Sequence, residues 1–238
     1  MQFDSELGEG KLIKRYKRFM ADIELPNKET ATIHCPNTGS MATCAPVGGR
    51  VLYSDSKNPK RKYPWTWELT ETAGGFIGVN TSRTNALVEE ALDSRKIPQL
   101  SDYDDISREV KFGESRFDFC LKKDGKNIWV EVKNATLLHE DRIIFPDAVT
   151  ARGLKHLKHL QDAVLQGDRA VMLYVVNRPD GQVFSPAYHI DPEYCQELER
   201  AIQNGVEVLA WRTRANSTMI EIIEPVEITL EKDDVKSR

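Results

Sequence analysis

The sequence predicts a mixed α+β / α/β chain: a small N-terminal β-barrel over residues 1–80, followed by an α/β domain over residues 81–238. Three observations predict it. Residues 11–80 contain short β-rich stretches divided by turn residues, with no helical period among them. Past Asn80, amphipathic helical segments alternate with apolar strands. The charge also changes sign, since residues 1–67 carry 11 Lys and Arg against 7 acids and residues 68–238 carry 22 against 30.

In the first part, β-rich stretches fall at about 12–25, 30–35, 50–55, 65–72 and 75–79, the last two joined through Ala73-Gly74-Gly75. Along the first of these the apolar parity shifts between Leu12 and Tyr16 and the series Phe19, Ala21, Ile23 and Leu25, which predicts a bulge. Two basic clusters lie here. One is Lys11, Lys14, Arg15, Lys17 and Arg18; the other is Lys57, Lys60, Arg61 and Lys62, followed at once by Tyr63, Trp65 and Trp67. Five short strands with a basic surface and interspersed aromatics suit an OB-like barrel, a fold that holds oligonucleotides. Arg15, Lys17, Arg18, Lys60, Arg61 and Lys62 are the expected phosphate contacts, with Trp65 and Trp67 as stacking groups. The alternative is that the cations are ordinary solvated surface and the aromatics fill the barrel.

In the second part, Ser82 is the expected N-cap of a helix over about 83–95, with Ala86, Leu87, Ala91 and Leu92 as its apolar series. Strands follow at about 107–112, 116–122 and 128–134, the latter two joined by the hairpin signal Asp124-Gly125. A helix at 148–166 carries the apolar stripe Leu154, Leu157, Leu160 and Val164, with Arg152, Lys155, His156 and His159 expected opposite it. Arg152 and Lys155 on that basic face are further candidates for nucleic-acid contact. Arg169–Val176 is an interior strand, Pro192–Asn204 a helix, and Val206–Trp211 and Ser217–Ile223 two more strands; the charged tail Glu231–Arg238 is expected to fray.

Several functional classes are excluded. The 238 residues carry 33 Lys and Arg against 37 Asp and Glu, 40% hydrophobic and 29% charged residues, a globular composition. No apolar run reaches the roughly 18–20 residues a membrane span needs, and the basic stretch Lys11–Arg18 precedes no signal-like core. Cys35, Cys44, Cys120 and Cys195 form no C-x-x-C pair, so neither a zinc ribbon nor a disulfide framework is expected and a reducing cytoplasm is the expected setting. No Gly-rich nucleotide loop or G-x-S-x-G elbow occurs. His156 and His159 have metal-pair spacing without a third ligand nearby, so zinc is not expected.

The chemistry concentrates in Arg116-Phe117-Asp118-Phe119-Cys120 and Glu131-Val132-Lys133. Side chains alternate along a strand, so Glu131 and Lys133 share one face while Val130 and Val132 take the other. If the Asp124-Gly125 hairpin pairs the two strands, Asp118, Glu131 and Lys133 converge. Two carboxylates are hard ligands for Mg²⁺ or Mn²⁺, and the ammonium can orient a water or counter charge on a phosphodiester. This is the D-x12-E-x-K form of the PD-(D/E)xK nuclease signature, with Phe117 where the motif customarily has Pro. Asp118 and Glu131 are the expected metal ligands and Lys133 the catalytic amine, with Glu109, Glu89 and Glu90 as lesser candidates.

Longer motifs add a resemblance. His34-Cys35-Pro36-Asn37-Thr38-Gly39-Ser40-Met41, Lys60-Arg61-Lys62-Tyr63-Pro64, Thr66-Trp67-Glu68-Leu69, Glu109-Val110-Lys111-Phe112-Gly113, Glu131-Val132-Lys133 and Phe145-Pro146-Asp147-Ala148-Val149-Thr150-Ala151-Arg152-Gly153 occur in this order. Together, from about Leu12 to Leu230, they resemble the sugar fermentation stimulation protein A (SfsA) family. The resemblance implies an N-terminal OB domain, a PD-(D/E)xK nuclease-like C-terminal domain, and a DNA-binding protein regulating sugar, particularly maltose, metabolism. Two other readings stand beside it: a Mg²⁺- or Mn²⁺-dependent nuclease, and a regulatory module that binds a partner or effector through the Pro36–Met41 loop. The strandedness of the nucleic acid and the oligomeric state are not legible in the residues.

Overall fold

The computed structural model describes residues 1–232. From residue 233 onward the expected charged tail lies outside the described residues.

The barrel is built from β1 (Gly8–Tyr16), β2 (Met20–Glu24), β3 (Thr30–His34), β4 (Arg50–Asp55) and β5 (Trp65–Thr72), with β6 (Gly75–Gly78) added to β5. β1 pairs with both β2 and β4, β2 with β3, and β4 with β5. A parallel contact between His34 and Thr66 joins β3 to β5 and closes the five-strand barrel. Leu12, Ala21, Ile23, Ile33, Val51, Trp67 and Ile77 fill it. The stretch expected as one strand at 12–25 is a hairpin. Lys17 and Arg18 adopt φ of 49° and 61°, the left-handed conformation that reverses the chain. The register also shifts between Leu12 and Lys14, so the parity change combines a bulge with a reversal of direction.

Between the domains, Asn80 rather than Ser82 caps the turn. Its side chain accepts from Ser82 N at 3.1 Å, and one 3₁₀ turn at Thr81–Arg83 leads into α1 (Thr84–Asp93). Then come β7 (Asp105–Phe112), β8 (Ser115–Lys123), β9 (Lys126–Ala135), β10 (Leu137–His139), β11 (Arg142–Phe145), α2 (Ala151–Leu165), β12 (Arg169–Val176), β13 (Val183–Pro186), α3 (Pro192–Gln203), β14 (Glu207–Ala215), β15 (Ile220–Pro225) and β16 (Glu227–Ile228). The main sheet runs β15-β14-β12-β9-β8-β7, with β12 parallel to both β9 and β14. β10, β11, β13 and β16 form a separate four-stranded sheet; these strands are too short to show a period.

The main sheet is covered on both faces. α2 and α3 bury Leu157, Leu160, Tyr194 and Leu198 with Phe117, Met172 and Tyr174. On the other face, α1 buries Leu87, Val88 and Leu92 with Phe119, Val130, Val132, Leu173 and Val175. Burial on two faces explains why Ala170–Val176 is uniformly apolar. The chain's first residues leave the barrel: Met1 N donates to Ile220 O at 2.8 Å and Phe3 N to Thr218 O at 3.0 Å, so the expected 1–80 unit begins with residues docked on the second domain. Ser40 N reaches back to Asp147 Oδ2 at 2.7 Å, joining the Pro36–Met41 loop to the segment before α2.

Candidate active site and nucleic-acid interface

The ladder between β8 and β9 runs from Lys123↔Lys126 to Phe119↔Val130. Beyond that pair the strands part, and the next N–H, that of Val132, donates to Asp118 Oδ2 at 2.8 Å. Asp118 Oδ1 accepts from Asn85 Nδ2 of α1 at 2.7 Å. Simple alternation would leave Phe117 and Phe119 on one face, yet Phe117 joins the core beneath α2 and α3 while Phe119 joins that beneath α1. The strand therefore turns over at Asp118, at the fork.

Glu131 follows the fork on β9 and is 2% exposed. Its Oε1 meets both Lys133 Nζ and His156 Nδ1. Lys133 Nζ is also 3.4 Å from His156 Nδ1. Glu131 Oε2 is buried with no hydrogen-bond partner. Burial, and next the charge of Glu131, push the Asp118 carboxyl above the usual range, against the pull of Val132 N–H and Asn85. Burial would raise Glu131 as well, but the His156 and Lys133 contacts outweigh it and hold that carboxyl low.

Asp118, Glu131 and Lys133 thus meet at one fork, and the donor set fits a hard divalent cation: two carboxylates, one offering a buried oxygen with lone pairs unused. Among the described residues no three His, Cys, Asp or Glu side chains group to hold a metal by themselves. An ion here would complete its shell from backbone, water or substrate oxygens, as Mg²⁺ commonly does. The lesser candidates are not brought in. Glu89 pairs with Arg108 at 2.6 Å, Glu90 pairs with the N-terminus at 2.7 Å, and Glu109 is exposed.

His156 is a correction. Expected on the basic face of α2, it is 4% exposed and shares the inward face with Gly153, Leu157 and Leu160. The spacing i, i+3, i+4, i+7 from Gly153 carried that signal. Arg152 and Lys155 are exposed as expected; Arg152 Nε lies 3.5 Å from His156 Nε2, and Lys155 pairs with Glu114 at 3.2 Å.

Two other expectations meet the packing. Arg15 turns inward and donates to the carbonyls of Arg18, Asn37, Gly39 and Ser40 at 2.8–3.3 Å, so it ties down the Pro36–Met41 loop instead of facing a phosphate. Trp67 is 0% exposed with Nε1 donating to Leu69 O at 3.0 Å, and cannot stack on a base. Trp65 is half-buried and stacks on Tyr53 at 4.7 Å. Lys17 and Arg18 are exposed on the β1–β2 turn, and Lys60, Arg61 and Lys62 on the β4–β5 loop, the two loops through which OB barrels hold oligonucleotides. The Pro36–Met41 loop borders a cavity of about 260 Å³ shared with Asn134, Thr136, Asp147 and Thr150.

Comparison with known proteins bears on both domains. A family model described as the SfsA N-terminal OB domain matches residues 13–79, and one described as the sugar fermentation stimulation protein RE domain matches residues 82–219. A sugar fermentation stimulation protein homolog of Pseudomonas putida (strain GB-1) is 51% identical over 227 residues, covering 93% of this chain and 96% of its own length. One from Shewanella frigidimarina (strain NCIMB 400) is 52% identical over 217 residues, covering 90% and 93%. The structure of Pyrococcus furiosus SfsA in complex with Ca²⁺ superposes with a TM-score of 0.87 at 23% identity, over 97% of this chain and 98% of that one, and shows the same fold.

Proposed function

The chain belongs to the sugar fermentation stimulation protein family, and from that premise we propose that it is a DNA-binding protein whose second domain hydrolyses phosphodiester bonds with a divalent cation. The observation that carries the reading is the meeting of Asp118, Glu131 and Lys133 at the β8–β9 fork, with Glu131 Oε2 buried and unpartnered. Asp118 and Glu131 would hold Mg²⁺ or Mn²⁺. The bound ion would supply a Lewis acid and an activated water. The Ca²⁺ complex of the Pyrococcus relative, a hard oxygen-seeking ion, supports the same reading.

The chain's own residues have separable tasks. Asn85 and Val132 N–H fix the Asp118 carboxylate between the parted strands. Lys133 brings a positive charge beside Glu131, placed to counter negative charge developing on a phosphoryl oxygen. Lys17, Arg18, Lys60, Arg61 and Lys62 on the two barrel loops, with Arg152 and Lys155 on α2, would neutralise the backbone of the nucleic acid. In this reading regulation of sugar use, maltose included, is a cellular consequence of action on DNA, and the cytoplasm is its setting.

The test is cleavage of labelled single- and double-stranded DNA and RNA with Mg²⁺, Mn²⁺ or EDTA, with binding followed in parallel. Metal-dependent cutting lost in Asp118→Ala and Glu131→Ala, with binding retained, is the expected result. Salt-sensitive binding without cutting under any condition would reduce the second domain to a DNA-binding scaffold, and salt-insensitive affinity would overturn DNA binding itself.

A further inference from the structure

Glu131 has two carboxylate oxygens in unlike surroundings. Oε1 receives both protein donors, Lys133 Nζ and His156 Nδ1, whereas Oε2 receives none. Among the described residues it is the one buried carboxylate oxygen left without a partner. A carboxylate with no protein donor on either oxygen could swing about its terminal torsion, which is broad for Glu. Here one oxygen is fixed and the other is thereby aimed.

The donor on Oε1 is itself held. His156 lies on the buried face of α2, its ring against Phe117 with centroids 6.3 Å apart. Arg152, one helical turn earlier, places Nε 3.5 Å from His156 Nε2. A guanidinium only donates, so in this contact Nε2 accepts and the neutral ring carries its proton on Nδ1, facing Glu131, the nearer of its two Nδ1 neighbours; the Lys133 ammonium, 3.4 Å from Nδ1, donates to Glu131 Oε1 instead. Polarity along the chain is consistent: Arg152 donates to His156 and His156 donates to Glu131.

We infer that Arg152, His156 and Glu131 form a hydrogen-bonded relay in which His156 is a positioning residue, occupying Glu131 Oε1 so that Oε2 is the oxygen presented to the divalent cation. The relay also leads outward. Arg152 is exposed on α2 with its Nη atoms beyond the Nε that meets His156, so a phosphate gripped there would bear on the same chain that orients the carboxylate. The inference rests on the metal reading of Asp118 and Glu131 and assigns that site its supporting donor.

The test uses Mn²⁺ alone, titrated calorimetrically into the full chain, with wild type compared to Glu131→Gln, His156→Leu and His156→Asn. Circular dichroism and melting curves check folding, and long-range ¹H–¹⁵N spectra report the His156 tautomer in the metal-free protein. His156→Leu should weaken Mn²⁺ binding by about 10–100-fold, the usual cost of losing a ligand's supporting hydrogen bond. His156→Asn, whose amide can donate from near the Nδ1 position, should recover most of that loss. The wild-type ring should carry its proton on Nδ1. If Glu131→Gln weakens binding and folded His156→Leu does not, the positioning role is wrong while the metal reading stands. If neither changes it, the metal reading falls, and the inference with it. Should His156→Leu fail to fold, the tautomer decides, because a wild-type ring protonated on Nε2 alone overturns the relay.

Discussion

Asp118 takes the place of a strand partner: its carboxylate accepts the Val132 N–H at 2.8 Å where the ladder of β8 on β9 has ended. One hydrogen bond therefore satisfies a backbone donor at the fork and fixes a carboxylate beside Glu131. An ordinary hairpin would have continued its ladder through this point and given that N–H a backbone carbonyl as its acceptor.

The two carboxylates should titrate in inverted order. Asp118 is held above its ordinary 3.8, so the folded chain binds that proton more tightly than the unfolded one, and its contribution to stability declines as pH rises from 3.8 through the folded value. Glu131 is held below its ordinary 4.5, so its contribution is complete above 4.5 and is lost as pH falls through the folded value. A ¹³C carboxyl titration should find Asp118 above Glu131. Mn²⁺ affinity should rise with pH across the Asp118 range, because the ion displaces its proton. Ordinary values for both groups would remove the basis for this expectation.

Arg15 and the lysines of the β4–β5 loop should separate stability from DNA binding. Arg15→Ala strips donors from the carbonyls of Asn37, Gly39 and Ser40, at a cost of about 1–3 kcal/mol in thermal or urea unfolding. Lys60→Ala and Lys62→Ala should leave the melting temperature in place. Each should reduce the salt slope of DNA binding by about 1. A stable Arg15→Ala chain with a reduced salt slope would restore Arg15 to the interface.

The two tryptophans should behave oppositely. Trp67→Ala empties the barrel core and should cost about 3–5 kcal/mol of stability. Trp65→Ala should fold, and should lose about 1–3 kcal/mol of single-stranded DNA affinity if the Tyr53–Trp65 stack receives a base. Fluorescence quenching by oligonucleotide in Trp65→Phe against wild type reads this directly, and identical quenching would exclude Trp65.

Gly39 should be intolerant of a side chain because of the second domain. A Cβ there would stand 2.1 Å from Asp147 Oδ2, the oxygen that accepts from Ser40 N. Gly39→Ala should displace Asp147 and cost about 0.5–1.5 kcal/mol for the lost hydrogen bond. In an Asp147→Ala background the same change should cost less, and a double-mutant cycle on melting curves measures the coupling. Full additivity would mean that Asp147 is not what Gly39 makes room for.

Local pattern determined much of this protein. Strand parity placed Glu131 and Lys133 together, the Asp124-Gly125 turn brought β8 to β9, and helix signals located α1, α2 and α3, because these depend on residues a few positions apart. The same locality explains the failures. The 12–25 stretch read as one strand because nothing in its composition announces the left-handed pair Lys17 and Arg18. Trp65 and Trp67 share a strand parity, yet Trp67 lies wholly in the barrel core while Trp65 stacks at its margin on Tyr53, as the closing of the barrel dictates. Arg15 looked like a phosphate contact until the loop carbonyls from residues 37–40 were folded around it. Most consequentially, only tertiary packing sets α2 against the sheet and brings His156 to Glu131 across 25 residues of sequence. A sequence records which face a side chain takes on its own element; which element that face meets is decided by the packing of the whole domain, and the candidate site is made at that meeting.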